Sequence, residues 1–447
     1  MDIMAGLTDT QASVLRTLFS AAPDAAVRNL ERALSEEAMG GGPMAAVYSI
    51  VAKEALGRRA RHAVFEPVIA LCGPGKHFPA TVIKALWVAL SATSGGDVDT
   101  AVGLATKKKP SDATIAMSVE MFDRLCIAAA AGLRGGEPAF ASAIKLLEAG
   151  EPEAVEALAK YLDLTPLVRS GMARLPEWVG RMTEDRAAAV RVAYKDADNL
   201  AADGGPRFLE MLVANLAEPW LIMRILSAVM DHPAERYVAV SELAPFAEQL
   251  LDDVDRKLAV FRAFDPAGGR PAGLAAGEAI HIAGMEIIEF ESSIELSREG
   301  PWGKRVAQLK QSLAQLAETR LAQIDKAMDA AMPLQMVKFG KGVRGQPKLT
   351  EDPNPLALMR AEGLIAFFDY SRQFASQSGY GAARTKAAEK IEARLDQYIE
   401  DLLEMLRSQE VEALVRVKSY LEVSAEMMEA VRGEKAGQIV RRRAAAA

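Results

Sequence analysis

Apolar residues recur at intervals of three and four along nearly the whole chain, and this spacing restricts the fold more than any other feature of the sequence. One such stripe consists of Leu251, Val254, Leu258 and Phe261. These intervals place apolar side chains on one face of an α-helix, whereas a half-buried strand requires alternation. Alternating runs are scarce, and Ala, Leu, Glu, Arg and Met, which favour helices, are abundant. The sequence therefore predicts an all-α fold, and it contains no convincing strand.

Short helices are predicted in the N-terminal part of the chain. Turns containing glycine and proline divide residues 1–165 into segments of helical length, which indicates stacked helical hairpins. Residues 166–264 are predicted to continue this array. Tryptophans recur at about 40 residues or twice that interval, a period typical of HEAT-like helix pairs; they are Trp178, Trp220 and Trp302. A HEAT-like solenoid is therefore an alternative to an irregular array of helices.

Longer helices are predicted after a linker at residues 265–277, whose sequence DPAGGRPAGLAAG combines Gly, Pro and small residues. We expect residues 278–447 to form a bundle of long helices, interrupted by a basic, Gly-rich loop at 338–349. One helix of this bundle carries a heptad-like apolar stripe that includes Ile391, Leu395, Leu402 and Met405. Such a stripe is either a core face within one chain or the seam of a coiled-coil homodimer. The core face is favoured because sustained coiled coils extend over more than three heptads; the four residues are the candidate helix interface if the chain dimerises.

Composition and cysteine usage indicate a globular protein of a reducing compartment. The chain has 447 residues, 25% of them charged, and a net charge of −7, which is typical of folded rather than disordered chains. Its two cysteines, Cys72 and Cys126, offer no disulfide framework. The N-terminus lacks a basic segment followed by an apolar one, and no apolar stretch approaches the ~20 residues that span a bilayer. We therefore predict a cytoplasmic protein, and the abundance of Ala, Arg and Gly indicates a bacterial genome.

Patterns that would indicate catalysis or metal binding each fail at a specific position. The turn at residues 73–77 places His77 where a P-loop requires Ser or Thr, and no strand precedes it. Glu278 and His281 form one E-x-x-H pair, whereas di-iron bundles need two. The acidic cluster at 252–255 is followed by arginine where a magnesium-binding DDxxD pattern has its last aspartate. The sequence therefore predicts no catalytic residue, no metal ligand and no cofactor.

Basic residues cluster in three places, one of them at 107–109 before Pro110, and the other two clusters supply the candidate binding residues. The predicted loop carries Lys338, Lys341, Arg344 and Lys348, with no acid among them, and a second cluster consists of Arg58, Arg59 and Arg61. The loop has the composition of an anion-binding segment, suited to phosphate, nucleic acid or an acidic protein surface. The alternative for both clusters is ordinary solvation at the protein surface.

These observations favour a non-enzymatic adaptor, scaffold or regulator that acts through protein–protein interaction. Long amphipathic helices rich in Leu and Met offer adaptable apolar faces to partner proteins. The first alternative is binding of nucleic acid or another anion through the 338–348 segment, although the acidic total charge argues against indiscriminate nucleic-acid binding. The second alternative is an enzyme with a site between helical domains, near His281 or Asp252.

Overall fold

The computed structural model describes residues 7–37, 43–107, 109–149, 153–201, 203–230, 233–339, 342–408 and 414–447. Over these residues nearly every regular element is an α-helix, so the predicted all-α class is confirmed. The chain divides into two compact units, Met1–Met230 and Asp231–Ala447. Within the described residues, no helix combines the length and the apolar character that crossing a membrane requires.

The N-terminal unit consists of twelve described helices. In chain order α1–α12 are Asp9–Ala21, Asp24–Glu37, Pro43–Ile69, Thr81–Thr93, Gly95–Ala105, Asp112–Arg134, Ala141–Glu148, Ala154–Asp163, Thr165–Trp178, Glu184–Leu200, Gly204–Ala214 and Ile222–Val229. Their apolar faces enclose large buried aromatic side chains, among them Phe65, Phe140, Trp178 and Phe208. Whether these helices form HEAT-like repeats stays a prediction.

A largely buried arginine holds three of these helices together. Arg169 of α9 donates to Asp123 of α6 at 2.9 Å and to the carbonyl oxygen of Val64 in α3 at 2.7 Å. Its Nη1 also donates to the carbonyl oxygen of Ala63 at 3.0 Å. Because a buried charge is costly unless it is paired and hydrogen-bonded, these contacts restrict how α3, α6 and α9 pack.

The C-terminal unit contains eight described helices and one β-hairpin. Helices α13–α20 are Glu235–Val238, Ala244–Arg262, Gly269–Ser293, Pro301–Ala331, Pro355–Tyr370, Gly381–Ser408, Leu414–Arg432 and Glu434–Ala446. The longest, α16, buries an apolar residue at every third or fourth position: Val306, Leu309, Leu313, Ala317, Leu321, Ile324 and Met328. The predicted bundle of longer helices therefore lies in this unit.

The basic segment predicted as a loop at 338–349 is instead mostly a β-hairpin. Strands β1 (Leu334–Phe339) and β2 (Gly342–Pro347) pair antiparallel, with Leu334 opposite Pro347 and Lys338 opposite Val343. The expectation that the chain contains no strand is therefore wrong at this position. Leu334, Met336 and Lys338 lie on one face of β1, and this exposed face is largely apolar. The usual contrast between a polar outer face and an apolar inner face is therefore missing from the sequence.

The predicted linker at 265–277 is helical rather than extended. Pro266 begins a single 3₁₀ turn, and α15 starts at Gly269. Its glycines permit close approach to α17: a Cβ on Gly273 would lie 2.0 Å from the carbonyl oxygen of Gly363, and one on Gly277 would lie 2.8 Å from Tyr370. The small residues therefore serve helix packing, and the compact units separate at Met230 instead.

Three of the four candidate dimer-interface residues are buried within the unit. Ile391, Leu395 and Leu402 are at most 1% exposed, whereas Met405 of the same helix is half-buried. Tyr398 lies on the same face and packs edge-on against Tyr420 of α19 at 6.3 Å between ring centroids. In this conformation the stripe is a core face of α18, the interpretation that the sequence favours.

Removing a side chain from this core face is expected to destabilise the C-terminal unit. Leu402→Ala should lower its free energy of unfolding by about 2–5 kcal/mol, because it leaves a cavity in a closely packed interior. The matched control is Leu356→Ala on the exposed surface of α17, which should change stability by less than about 0.5 kcal/mol. Urea denaturation of both variants measures the difference; equal midpoints would contradict the assignment of Leu402 to the core.

Candidate functional site

The hairpin is attached to the helical bundle through a buried carboxylate. Arg344 of β2 donates a short hydrogen bond to Oδ1 of Asp401 in α18, and Nε2 of Gln397 donates to the same oxygen at 2.8 Å. The Asp401 side chain is only 5% exposed, and no described residue hydrogen-bonds to its Oδ2. Since a buried charge requires a partner, Arg344 is committed to holding β2 against α18.

The four basic residues predicted in this segment are therefore not equivalent. Lys338 and Lys348 are exposed, and neither forms an ion pair with another described residue. The main-chain N–H of Lys348 donates to the carbonyl oxygen of Pro333 at 2.9 Å, which closes the open end of the hairpin. Lys341 lies outside the described residues. The site thus offers two free cations, at Lys338 and Lys348, in the part of the chain that the structure describes.

The face of the hairpin that carries Lys338 is otherwise apolar and exposed. Leu334 is 45%, Met336 is 72% and Val343 is 60% exposed. These side chains share a face because residues two apart on a strand point the same way, and Lys338 lies opposite Val343. Gly345 lies opposite Met336 and leaves it uncovered. We call Leu334, Met336, Lys338 and Val343 the outer face of the hairpin. The charge pattern of the sequence led to this segment, but it did not reveal this apolar surface.

The second basic cluster, at 58–61, is used inside the N-terminal unit. Arg58 donates to Glu54 at 2.7 Å and to the carbonyl oxygen of Phe19 at 2.6 Å, and it also pairs with Asp24. Arg59 makes two hydrogen bonds to Glu31, at 2.7 and 2.9 Å.

The pKa shifts of Glu31 and Arg61 agree with a role of this cluster in packing the helices of the N-terminal unit. The hydrogen bond from Arg59 lowers the pKa of the Glu31 carboxyl, whereas burial lowers the pKa of Arg61, whose Nη2 lies 3.9 Å from Asp24. These arginines join α3 to α1 and α2, so their positive charges are largely matched within the unit.

The acidic cluster at 252–255 is also matched by internal partners. Arg305 of α16 donates to Asp252 at 2.6 Å and to Asp255 at 2.7 Å. Asp253 faces the other way and pairs with Arg256 at 2.8 Å. Among the described residues, no group of His, Cys, Asp or Glu is placed to hold a metal ion.

The other positions considered for chemistry have packing roles. The ring of His281 packs on Phe374 at 4.3 Å between centroids and on Tyr370 at 6.3 Å. The turn at 73–77 follows helix α3 rather than a strand and is closed by the Gly73 N–H, which donates to the Phe78 carbonyl oxygen at 2.8 Å. Burial raises the pKa of the thiols of Cys72 and Cys126 to about 12, so both are poor nucleophiles at neutral pH.

One cleft of the C-terminal unit, about 580 Å³ in volume, is lined by several carboxylates. They include Glu362, Glu426 and Glu429. Arg441 enters the same cleft and donates to Glu429 at 2.9 Å. Burial and the nearby Glu422 raise the pKa of Glu426. This arrangement joins α20 to α19 by an ion pair.

No protein-family model, no curated protein and no solved structure matches this chain. By its geometry, the outer face of the hairpin is the candidate site.

Loss of the Arg344–Asp401 pair is expected to loosen the hairpin. Arg344→Met leaves the Asp401 carboxylate buried without its cation, at a cost of about 1–3 kcal/mol. Hydrogen exchange at the amides of Val337 and Arg344 should accelerate accordingly. Lys338→Met, which removes the same charge from the exposed face, is the matched control and should leave these amides protected. Equal protection in both variants would show that the pair does not anchor β2.

A second expectation concerns the buried carboxyl of Glu286 in α15. Burial, followed by a hydrogen bond with Asp253, raises its pKa to about 9, so it keeps its proton at neutral pH. The unfolded chain releases that proton near pH 4.5. The contribution of Glu286 to the free energy of unfolding is therefore fully present below pH 4.5. It decreases by about 1.4 kcal/mol for each pH unit from there up to pH 9.

Replacing the protonated carboxyl by an amide should remove this dependence. Glu286→Gln keeps a hydrogen-bond donor for Asp253, so its stability should match that of the native chain near pH 5 and exceed it at pH 8. Urea denaturation at pH 5, 6.5 and 8 measures the effect. If the free energies of unfolding of the two proteins changed equally with pH across this range, a raised pKa at Glu286 would be contradicted.

Proposed function

We propose that the protein acts by binding another protein, and that the outer face of the hairpin is its binding surface. An exposed apolar group of side chains on a protruding element is typical of interaction sites. Methionine is enriched in interfaces and adapts to the shape of a partner. The observation that carries the proposal is the exposure of Leu334, Met336 and Val343 side by side.

The same surface argues for protein rather than nucleic acid as the partner. Affinity for nucleic acid comes mainly from cations that contact phosphates, yet Arg344 is paired with Asp401 and the arginines at 58–61 are paired within their own unit. One exposed lysine, Lys338, among three apolar side chains suits an apolar protein segment that carries negative charge. An adaptor, scaffold or regulator in the cytoplasm is the class of protein that this supports.

Binding of an anion or nucleic acid remains the second candidate, since Lys338 and Lys348 are free of ion pairs among the described residues. It makes a different prediction, because affinity for duplex DNA would fall steeply with salt. Replacing both lysines with glutamate would then reduce the salt dependence. A partner held by the apolar face is much less sensitive to salt.

Disruption of the outer face is expected to abolish recovery of the partner. Three tagged baits are compared in lysate of the cells that produce the protein: the native chain, a double variant that carries both Met336→Asp and Val343→Asp, and the control Val240→Asp. Bound proteins are identified by mass spectrometry. Val240→Asp, at a position 84% exposed in the same unit, adds an equivalent charge away from the hairpin.

We expect one stoichiometric protein with the native and Val240→Asp baits, and its loss from the double variant. Recovery of the same proteins with all three baits would overturn the hairpin as binding surface. Recovery of nucleic acid alone, released by salt, would favour the second candidate.

A further inference from the structure

The hydrogen-bond pattern of the hairpin determines which main-chain groups are available to a partner. The Lys348 N–H donates to the Pro333 carbonyl oxygen, so positions 333 and 348 form a hydrogen-bonded pair. Hydrogen-bonded and non-hydrogen-bonded pairs alternate along an antiparallel ladder. With the observed register, the pairs 335/346, 337/344 and 339/342 therefore bond within the hairpin. The N–H and C=O groups of Leu334, Met336 and Lys338 then point away from β2.

This outward edge of β1 is uncovered in the described structure. The strand that lies against α18 is β2, through Arg344 and Asp401. No hydrogen bond from a described residue reaches the main-chain N–H or C=O of Leu334, Met336 or Lys338. Proteins usually protect a free edge with a bulge, a proline, a charged side chain or a covering element. The one charged side chain of β1 is Lys338, at the far end of the strand. In β1 the first strand residue follows Pro333, but positions 334–339 contain neither proline nor glycine.

A positive charge that is unpaired among the described residues lies on this edge strand. Lys338 lies at its far end, whereas Lys348 lies across the ladder from Pro333, on the β2 side of β1. Residues 334 and 338 are four steps apart along the strand, which corresponds to a distance of about 14 Å at ~3.4 Å per residue. The sequence from 334 to 348 contains no acidic residue. A segment carrying a carboxylate near Lys338 would therefore be attracted to this edge, whereas a basic segment would be repelled.

We propose that the edge of β1 at residues 334–338 binds an extended, acidic segment of a partner protein as a third strand. The proposal rests on the proposed function and specifies its mode of binding. Main-chain hydrogen bonds to Met336 and its neighbours provide affinity, and alternate side chains of the segment contact the apolar outer face. A two-stranded hairpin is only marginally stable in isolation, so a third strand would also stabilise the element that binds it.

The test uses the full-length chain and a phage-displayed library of random nine-residue peptides. We expect enrichment of peptides in which acidic and apolar residues alternate. Synthetic copies should bind at least tenfold more weakly when alternate peptide nitrogens are methylated, because methylation removes the donors that pair with β1.

Proline substitutions distinguish the two edges of the hairpin. Met336→Pro removes an outward N–H from β1 and leaves the internal ladder intact, as proline is tolerated at an outward-facing edge position. It should weaken peptide binding at least tenfold. Val343→Pro does the same on the β2 edge, and it should bind the peptide as well as Val343→Ala, which removes the same outer-face side chain but keeps the N–H. Hydrogen-exchange protection of Val337 shows whether each variant keeps its hairpin.

If Met336→Pro does not form the hairpin, a charge-reversal variant still tests the strand-addition proposal. Lys338→Glu with Lys348→Glu should shift library selection from acidic to basic peptides. Three results would overturn strand addition: selection of no peptide, unchanged binding to Met336→Pro with an intact hairpin, or self-association through β1 seen by light scattering. A further result is loss of the captured partner with the double variant Met336→Asp, Val343→Asp but continued binding to Met336→Pro. That result would support the outer face as the binding surface and reject strand addition as its mode of binding.

Discussion

Burial of the apolar stripes of α16 and α18 within one unit is the interaction on which the C-terminal half of the structure depends. Each fully buried aliphatic side chain contributes about 1.5–3 kcal/mol, and α16 alone buries Val306, Leu309, Leu313, Leu321 and Ile324. The hairpin follows directly after Ala331, where α16 ends. Because two strands are marginal alone, its position depends on the end of α16 and on the contact of β2 with α18.

Four acids are buried among the described residues of this unit, and three of them, Glu235, Glu286 and Asp401, are each stabilised in a different way. Glu235 accepts the main-chain N–H groups of Ser297 at 2.9 Å and Trp302 at 2.8 Å, beside the start of α16. Glu286 keeps its proton and shares a hydrogen bond with Asp253. Asp401 is paired with a cation from another element, Arg344. Since removal of one partner from such a pair is costly, Asp401 links the position of the hairpin to the packing of α18.

The sequence predicts helices far better than it predicts what their small and charged residues do. Periodicity finds the stripes of α14 and α18, because burial on one face leaves a direct signal at intervals of three and four. Composition alone places Gly273 and Gly277 in a linker, although they permit α15 to approach α17. That contact depends on a helix nearly a hundred residues away, which local composition does not encode. The same limit applies to Arg344, whose partner Asp401 is distant in sequence and lies next to a predicted interface residue.

The basic composition of the 338–348 segment identifies the right part of the chain for an incomplete reason. Counting charges treats Lys338 and Arg344 alike, yet Lys338 is unpaired among the described residues, whereas Arg344 neutralises a buried carboxylate although it is itself partly exposed. Once that cation is assigned to the fold, the distinctive feature of the hairpin is its apolar outer face beside an unpaired strand edge. In the proposed strand addition, apolar contact and main-chain hydrogen bonding would account for affinity, and Lys338 would select the charge of the partner. The position of Arg344, which joins β2 rather than β1 to α18, is what leaves the β1 edge open.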